Sequence, residues 1–290
     1  MIRNYLNYIG SKDRYLEKIM PYLEKASEDK GCRTLVDLFC GSAVVGVNAL
    51  DLFDCVVCND KCAELISIHR WVRNRSKAEL FEQIDSVISQ YGLNKQNKEG
   101  FLKLRRDYNS KLDLNPCQLF ALVTHSFNYS LHTNSKGEFN APFGANRSCF
   151  NDSLRERLGE FKSALDEHNN DILFHNMDFE HCIDVNGTKD TVYFADPPYL
   201  ATKSKQPYRV KGITWNEKED ARLFDNLDYI HNSGGYFVLT DVISNNGCEN
   251  VVLKEWAQKY NIEDVDVSYD NASYQRKNLG RTREVIVSNF

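Results

Sequence analysis

The chain has 290 residues, 42% of them hydrophobic and 27% charged, with a formal net charge of −5. That is ordinary globular composition, enough for one large domain or for a domain that carries an insertion. Met1 to Lys12 lacks the apolar core of a signal peptide, and no stretch approaches the ~20 apolar residues that span a bilayer, so a cytoplasmic protein with no membrane partner is expected. The acidic balance hides a local excess of the opposite sign. Residues 64–163 hold 15 Lys/Arg against 11 Asp/Glu, which leaves −9 on the remainder. Two further stretches lack acids: Lys203, Lys205, Arg209 and Lys211, then Arg276, Lys277, Arg281 and Arg283. An acidic scaffold with basic patches suits phosphate contacts, and equally a solvated surface. Nine cysteines in a chain of this length are no disulfide scaffold. Cys55, Cys58 and Cys62 have metal-like spacing, but the first two lie in the strand-like run Asp54 to Cys58 and no second Cys/His pair follows. Buried thiols and no metal are expected.

In chain order, Asn7 to Lys12 comes first, with Gly10 and Lys12 placed ahead of a helix where they can approach an anionic group, although a plain helix entry is the simpler reading. Helical periodicity over 13–28 puts Leu16, Ile19, Met20 and Leu23 on one face. Thr34 to Phe39 reads as a buried strand, Cys40-Gly41-Ser42 as a sharp turn, and Ala43 to Leu50 as a helix. Strand, glycine turn and helix bring a backbone close to a ligand. The turn is neither G-x-G-x-x-G nor a P-loop. A second strand, 54–60, ends in Asn59-Asp60, with Asp60 nineteen residues after Gly41. An acid at that spacing grips ribose hydroxyls in nucleotide-type folds, or caps the helix that starts near Ala63.

From about Ala63 to Leu165 the pattern changes. Amphipathic helices are expected over 62–75, 78–91, 99–109 and 116–126, followed by a polar, aromatic, glycine-punctuated stretch, 126–144, that looks like a hairpin or extended loop. Residues 64–163 read as an insertion, with the α/β domain formed by 1–63 and 164–290. Strands resume at 171–175, 191–195, 236–240, 263–269 and 284–288, with helices over 217–232 and 249–260. That makes seven strands, four of them ending in an aspartate: Asp60, Asp196, Asp241 and Asp270.

The strand at 191–195 runs into Asp196-Pro197-Pro198-Tyr199. Two prolines without N–H groups stop the ladder and stiffen the loop. The loop offers one carboxylate, two donor-free carbonyls and one aromatic ring at a strand's carboxyl end, where open α/β sheets bind ligands. Asp196 and a proline carbonyl can each accept one N–H of an exocyclic amine while the Tyr199 ring stacks on the heterocycle. Two acceptors draw the nitrogen lone pair out of conjugation and make the amine nucleophilic. The bland alternative is a tight turn.

Taken together, Asn7–Lys12, Asp37–Gly46, Asn59-Asp60, Lys136–Gly144, Asp178-Phe179, Asp196–Tyr199 and the tail Tyr274 to Phe290 resemble the D12-class, Dam-like N6-adenine DNA methyltransferases, closest to those that accompany asymmetric-site restriction nucleases. The resemblance implies a seven-stranded, Rossmann-like S-adenosylmethionine-dependent methyltransferase sheet with a mostly helical target-recognition insertion, in a bacterial or phage-encoded enzyme. It implies that Tyr8 and Lys12 help close the methyl-donor site, that Asp37, Phe39 and Gly41 line it, that Asp60 takes the ribose hydroxyls, and that Asp178 with Phe179 holds the donor's adenine. Asp196, Pro197, Pro198 and Tyr199 become the catalytic loop, with Asp196 also facing the donor. Double-stranded DNA and a cognate restriction endonuclease become the implied partners. One departure stands out: His132 occupies the place where enzymes for the palindromic GATC site carry a guanine-reading arginine.

For such chemistry the adenine must leave the duplex, and the enzyme must align nitrogen, methyl and sulfur. Phe127, Asn128, His132, Asn134 and Lys136 are the candidate groups that enter the DNA. Lys203 and Arg209 are the candidate phosphate contacts. Methylation of another planar amine (cytosine N4 or an RNA adenine) and an inactive DNA-binding relative are the competing readings.

Overall fold

The computed structural model describes residues 1–7, 10–111, 114–168, 171–201, 210, 212–265 and 282–290. Tyr8, Lys203, Arg209, Asp270 and the basic run from Arg276 to Arg281 lie outside them, so the expectations placed on those residues do too.

The core is a mixed sheet. Its strands are β1 Thr34–Asp37, β2 Cys55–Asn59, β3 Ile172–His175, β4 Thr191–Ala195, β5 Tyr236–Asn245, β6 Cys248–Glu249, β7 Asn261–Asp264 and β8 Arg283–Ser288. The order is β3-β2-β1-β4-β5-β8-β7, with the short β6 paired to β5. β1 to β5 are parallel along this path, and β8 is antiparallel to both β5 and β7. Setting β6 aside, these are the seven expected strands.

Strand side chains alternate between two apolar layers, as the pleat requires. Leu35, Val56, Cys58, Val192, Phe194, Val238 and Ile286 enter one core; Val36, Val57, Tyr193, Phe237, Leu239, Val285 and Val287 enter the other. The second layer is closed by α8 (Phe179–Asn186), α9 (Glu217–Asn232) and α10 (Val251–Trp256). The first is closed by α1 (Leu16–Glu28) and α2 (Val44–Asn48), and by helices of the long crossover between β2 and β3. Those are α3 (Ala63–Arg73), α4 (Lys77–Tyr91), α5 (Lys98–Asn109), α6 (Pro116–His125) and α7 (Asp152–Glu167). Burial of β4 on every residue explains why its sequence is continuously apolar rather than alternating.

The caps follow the sequence. Ser76 and Glu79 form a capping box on α4, and Asn97, Asn115, Asn151 and Asn216 each accept a backbone N–H at a helix start.

Four expectations need correction. α7 and α8 were not anticipated. Leu154, Leu158, Phe161 and Leu165 are the buried face of α7, so its period was there to read; α8 is short and its start is disguised as the Asp178-Phe179 pair. The strand expected over 236–240 continues to Asn245, which places Asp241 inside it rather than at its end. Its polar Thr240 and Asp241 break the apolar run, but pairing with β8 through Ser244 sustains the ladder. The strand expected from 263 begins at Asn261. The helix expected over 249–260 is helical only from Val251 to Trp256, followed by a 3-10 turn to Lys259.

The stretch 126–144 folds back on itself. Thr133 bridges Phe139 and Ser126 bridges Phe143, both antiparallel, with Asn134 to Gly137 at the tip. Asn109 of α5 pairs with both the N–H and the carbonyl of Phe139, at 2.9 Å each, which fastens the loop to the helices.

α2 lies tight against the sheet because Gly46 has no side chain. A Cβ there would stand 2.4 Å from Cys58 Sγ and 3.2 Å from Val56 Cγ1. Gly46→Ala is therefore expected to cost ~1–3 kcal/mol by overpacking, measured as a lower urea midpoint at unchanged slope. Adding Cys58→Ala should relieve the clash, so that the double variant is more stable than the two single losses sum to.

Candidate active site

The sheet order reverses at β1 and β4: the chain steps outward from β1 through β2 to β3 on one side, and through β4 to β5 on the other. The carboxyl ends of β1 and β4 open a crevice at that point, the usual ligand position in open α/β sheets. Two sets of groups meet there.

The first set surrounds Asp196. Lys12 Nζ lies 2.9 Å from Asp196 Oδ1. The Tyr199 hydroxyl reaches the same oxygen at 2.9 Å, and Thr240 Oγ1 donates to it at 3.0 Å. Among the described residues all three donors converge on Oδ1, which leaves Oδ2 for an incoming group. Glu284 of β8 stands behind them. Its Oε1 faces the Tyr199 hydroxyl at 2.8 Å and Lys12 Nζ at 3.4 Å, and its Oε2 accepts from the Tyr15 hydroxyl at 2.6 Å. Lys12 Nζ also bonds the Tyr199 hydroxyl directly.

Lys12 and Glu284 are buried, with side chains 7% and 5% exposed. Burial works against the Lys12 ammonium, but Asp196 and Glu284 outweigh it and its pKa is raised. Burial raises the Asp196 carboxyl as well, against the opposing pull of Lys12 and the Tyr199 hydrogen bond. Tyr199 is pushed well up, by burial first and then by Asp196 and Glu284. Asp37 on β1 and Asp241 on β5 flank Asp196. Each has one buried carboxylate oxygen without a partner among the described residues, and burial pushes both carboxyls well above the usual range.

The second set is a pocket beside the first. Phe39, Phe179 and Trp215 form its walls. The Trp215 ring stands perpendicular to Phe39 at 5.3 Å and lies 5.9 Å from Phe179. Asp60, Asp178 and Pro198 complete the lining, with Asn59, Lys61, Met177, Ile213 and Thr214. Pro198 thus joins the Asp196–Tyr199 loop to the pocket, and Asp37 lies within electrostatic reach of both Asp60 and Asp196.

Asp60 accepts the N–H of Gly41 at 3.1 Å through one oxygen and that of Cys62 at 2.8 Å through the other. It therefore ties the glycine turn to the start of α3, and each oxygen keeps a further lone pair for a ligand hydroxyl. Gly41 is held at its carbonyl too, by His69 Nε2 at 2.8 Å. A carbonyl only accepts, so Nε2 bears the proton and His69 Nδ1 accepts from the Tyr5 hydroxyl at 2.8 Å. Burial lowers His69 to about 4, which keeps this imidazole neutral in neutral solution. The turn itself is left-handed at Gly41, with φ +49°, and at Ala43, with φ +58°.

Asp178 caps α8 and pairs with Lys61 at 2.8 Å and Arg222 at 2.9 Å. Burial works to raise its pKa, but the two cations outweigh that and hold its carboxyl below the usual range. Arg222 also lies over the Phe179 ring, 4.3 Å from its centroid.

Of the residues singled out in the sequence, Lys12, Asp196 and Tyr199 come together in the polar cluster. Phe39, Asp60, Asp178, Phe179 and Pro198 come together in the pocket; Asp37 and Gly41 are not part of its lining, Gly41 being tied to Asp60, and Pro197 is buried. The Lys12 ammonium sits on the Asp196–Tyr199 loop rather than in the pocket lining. In the 126–144 loop, Phe127 and Asn128 are exposed, with Arg147 over the Phe127 ring at 5.3 Å. Lys136 is exposed at the tip and His132 is half-buried. Asn134 builds the tip: its carbonyl oxygen accepts the N–H groups of Lys136 and Glu138, and its amide donates to the Glu138 carboxylate. Glu284, Thr240, His69 and Trp215 were not singled out. A tryptophan directly before an Asn helix cap was the one available signal among them.

Residues 8–271 match the sequence model of the D12 class N6 adenine-specific DNA methyltransferases, and the chain belongs to that family. It is 34% identical over its whole length to the type II methyltransferase M.FokI of Planomicrobium okeanokoites and 33% identical to the modification methylase StsI of Streptococcus sanguinis. It is 29% identical, over 98% of its length, to the modification methylase LlaI of Lactococcus lactis subsp. lactis. In each case the chain spans 43% of the relative's length. The family implies a methyl donor. An aromatic pocket with a free-sided carboxylate for hydroxyls, next to the unpartnered Asp37 oxygen, fits a nucleoside that carries positive charge. Among the described residues no helix is long and apolar enough to cross a membrane, and no group of three His, Cys, Asp or Glu side chains could hold a metal ion.

Burial raises Asp60 to about 6. The ionised carboxylate is the stronger acceptor for hydroxyls, so affinity for S-adenosylhomocysteine should be full above pH 6 and decline as pH falls through it. Asp60→Asn should bind more weakly at pH 8 and lose that pH dependence. In the ligand-free protein the same shift works the other way: the proton is held more tightly in the folded state, so stability falls as pH rises from ~4 to about 6. Calorimetric titration from pH 5 to 8 checks the binding, and a flat profile in the wild type would remove Asp60 from the pocket's acceptors.

Proposed function

We propose that the chain is the catalytic part of a site-specific DNA adenine methyltransferase of a restriction-modification system, using S-adenosylmethionine and acting on N6 of an adenine flipped from duplex DNA. The observation that carries this reading is the state of Asp196: one oxygen held by three donors, the other left over, at a strand end beside an aromatic pocket. A carboxylate so held is a preorganised acceptor for an amine N–H and a fixed negative charge for the positive charge that grows on nitrogen.

S-adenosylmethionine supplies an electrophilic methyl group on a sulfonium. The chain's own residues do the rest. Asp60 takes the ribose hydroxyls, and Phe39, Phe179 and Trp215 enclose the base. Asp178 accepts from the adenine's amino edge, while Lys61 and Arg222 keep it ionised. Asp37 faces the donor's positive end. Asp196 Oδ2 and a proline carbonyl hold the target amine, and the Tyr199 ring supports the target base. In this reading residues 64–163 are the target-recognition insertion, with the 126–144 loop as its reading edge, and Lys203 and Arg209 contact phosphates. A restriction endonuclease is the expected partner of the whole protein.

Asp196→Ala should leave the protein folded and lower methyl transfer by ~10²-fold or more. Labelled donor and DNA, followed by digestion to nucleosides, checks this and identifies the product. Label in N4-methylcytosine, or transfer to RNA alone, would overturn the adenine assignment. For the loop, Asn128→Ala and His132→Ala should change which sites are methylated, by ~1–3 kcal/mol at single positions, whereas Lys203→Ala and Arg209→Ala should lower the rate at every site. Methylation profiles on a randomised-site library separate the two outcomes; unaltered preference in both loop variants would move the reading surface elsewhere.

A further inference from the structure

We propose that Glu284 is a positioning residue for the reaction: it holds the Lys12 ammonium and the Tyr199 hydroxyl, and through them fixes the orientation of Asp196. This deepens the function proposed above and rests on it.

Asp196 Oδ1 is gripped by Lys12, Tyr199 and Thr240, and two of those three are themselves held by Glu284. Glu284 is 5% exposed and spends both oxygens inside the protein, Oε1 on Tyr199 and Lys12 and Oε2 on Tyr15. The Tyr199 hydroxyl has one proton and faces two carboxylates, so a Lys12 N–H must serve as well. The direct Lys12–Tyr199 contact closes that circuit. Without Glu284, one ammonium would face one carboxylate. Lys12 would then close fully on Asp196, and Tyr199 would lose the partner that fixes its ring in the loop. With Glu284 present, Lys12 is divided between two acceptors, and Asp196 is oriented without being neutralised.

The arrangement also sets the local charge. Lys12 provides one positive charge against Asp196 and Glu284, so the cluster is one charge short of neutrality. Asp37 and Asp241 flank Asp196, and Tyr199 completes the titratable groups that face it among the described residues. A buried deficit of positive charge favours a transition state in which positive charge appears on the amine. Glu284 comes from β8, the antiparallel strand beside β5, and Thr240 from β5 itself. The two adjacent strands therefore reach Asp196 from the same side.

The test uses Glu284→Gln, which keeps the shape and one acceptor oxygen but removes the charge and turns the other oxygen into a donor, with Glu284→Asp as the conservative change and Lys12→Met as the opposite charge change. Glu284→Gln should lower kcat by ~10- to 100-fold, as small misplacements of a reacting group do. KM for DNA and affinity for S-adenosylhomocysteine should stay within twofold, and Glu284→Asp should recover part of the loss. The acid limb of the kcat profile should move to lower pH in Glu284→Gln and to higher pH in Lys12→Met. The 13C carboxyl resonance of Asp196 in the protein without substrates should titrate with the same opposite displacements, which measures the coupling without any turnover. Thr240→Val, which removes the third donor to Oδ1, should lower kcat with an unchanged KM, and it serves if Glu284→Gln does not fold. Wild-type protein that methylates adenine alongside a Glu284→Gln variant with unchanged kcat and unchanged Asp196 titration would overturn the role of Glu284 alone. A wild type that methylates no adenine would overturn the proposed function and this role with it.

Discussion

A buried ammonium needs a counter-charge, and that need organises this site. Lys12 comes from the amino-terminal segment, Asp196 from the end of β4 and Glu284 from β8, so the contact joins the start, the middle and the end of the described chain. Removing Lys12 from this buried set leaves two carboxylates without their shared cation and costs ~3–5 kcal/mol. The same cost makes the geometry dependable. Neither Lys12 nor Glu284 can turn to water without giving up a partner that nothing else nearby replaces. The loop from Asp196 to Tyr199 is rigid for a second reason, since Pro197 is buried and Pro198 forms part of the aromatic pocket.

The sheet decides what can meet Asp196. Reversal of strand order between β1 and β4 opens the crevice, and parallel pairing brings Asp37 and Asp196 to its mouth at the ends of neighbouring strands. Asp60 follows β2 in the same way and closes the glycine turn from the far side. The turn is fixed at both ends, by Asp60 at the N–H and by His69 at the carbonyl of Gly41, so its left-handed backbone is held by side chains and not by the glycine alone. His69 belongs to α3, the first helix of the crossover that bears the 126–144 loop. The helices assigned to recognition and the turn assigned to the donor therefore share one hydrogen-bonded contact and one apolar core.

Much of this was legible in the sequence, and the reasons are physical. β4 was readable because a strand buried on both faces is apolar at every position, and its end was readable because two prolines cannot extend a ladder. Asp60 was readable from its spacing to Gly41. α9 was read to its exact ends, Glu217 and Asn232, because Asn216 caps it and its apolar period is unbroken. Glu284 was illegible for the opposite reason. It is one acid among the 41 Asp and Glu of the chain, in a strand whose neighbours are apolar, and its partner Tyr199 is 85 positions away. Thr240 and Trp215 are hidden likewise, since each acts through a residue distant in sequence. At Tyr199 the hydroxyl's contacts were not legible. The ring was expected to act by stacking alone, but its hydroxyl is committed to Asp196, Glu284 and Lys12, so a phenylalanine there would keep the face and lose the anchor.

The unpartnered groups complete the argument. Stable interiors pair their polar atoms, yet Asp37 Oδ1 and Asp241 Oδ2 are buried without a partner among the described residues, on the strands to either side of Asp196. Burial pushes both carboxyls well above their ordinary range, and neighbouring carboxylates push the same way. The nearest cation, Lys12, is shared between Asp196 and Glu284 and only partly offsets the push on Asp241. Folding alone would favour apolar residues at such positions, and the strands could accommodate them. A site that keeps three adjacent carboxyls on neighbouring strands, with a single shared ammonium, is short of positive charge by construction. A donor that brings a sulfonium and an amino group, and an amine that becomes cationic as it reacts, would supply what is missing.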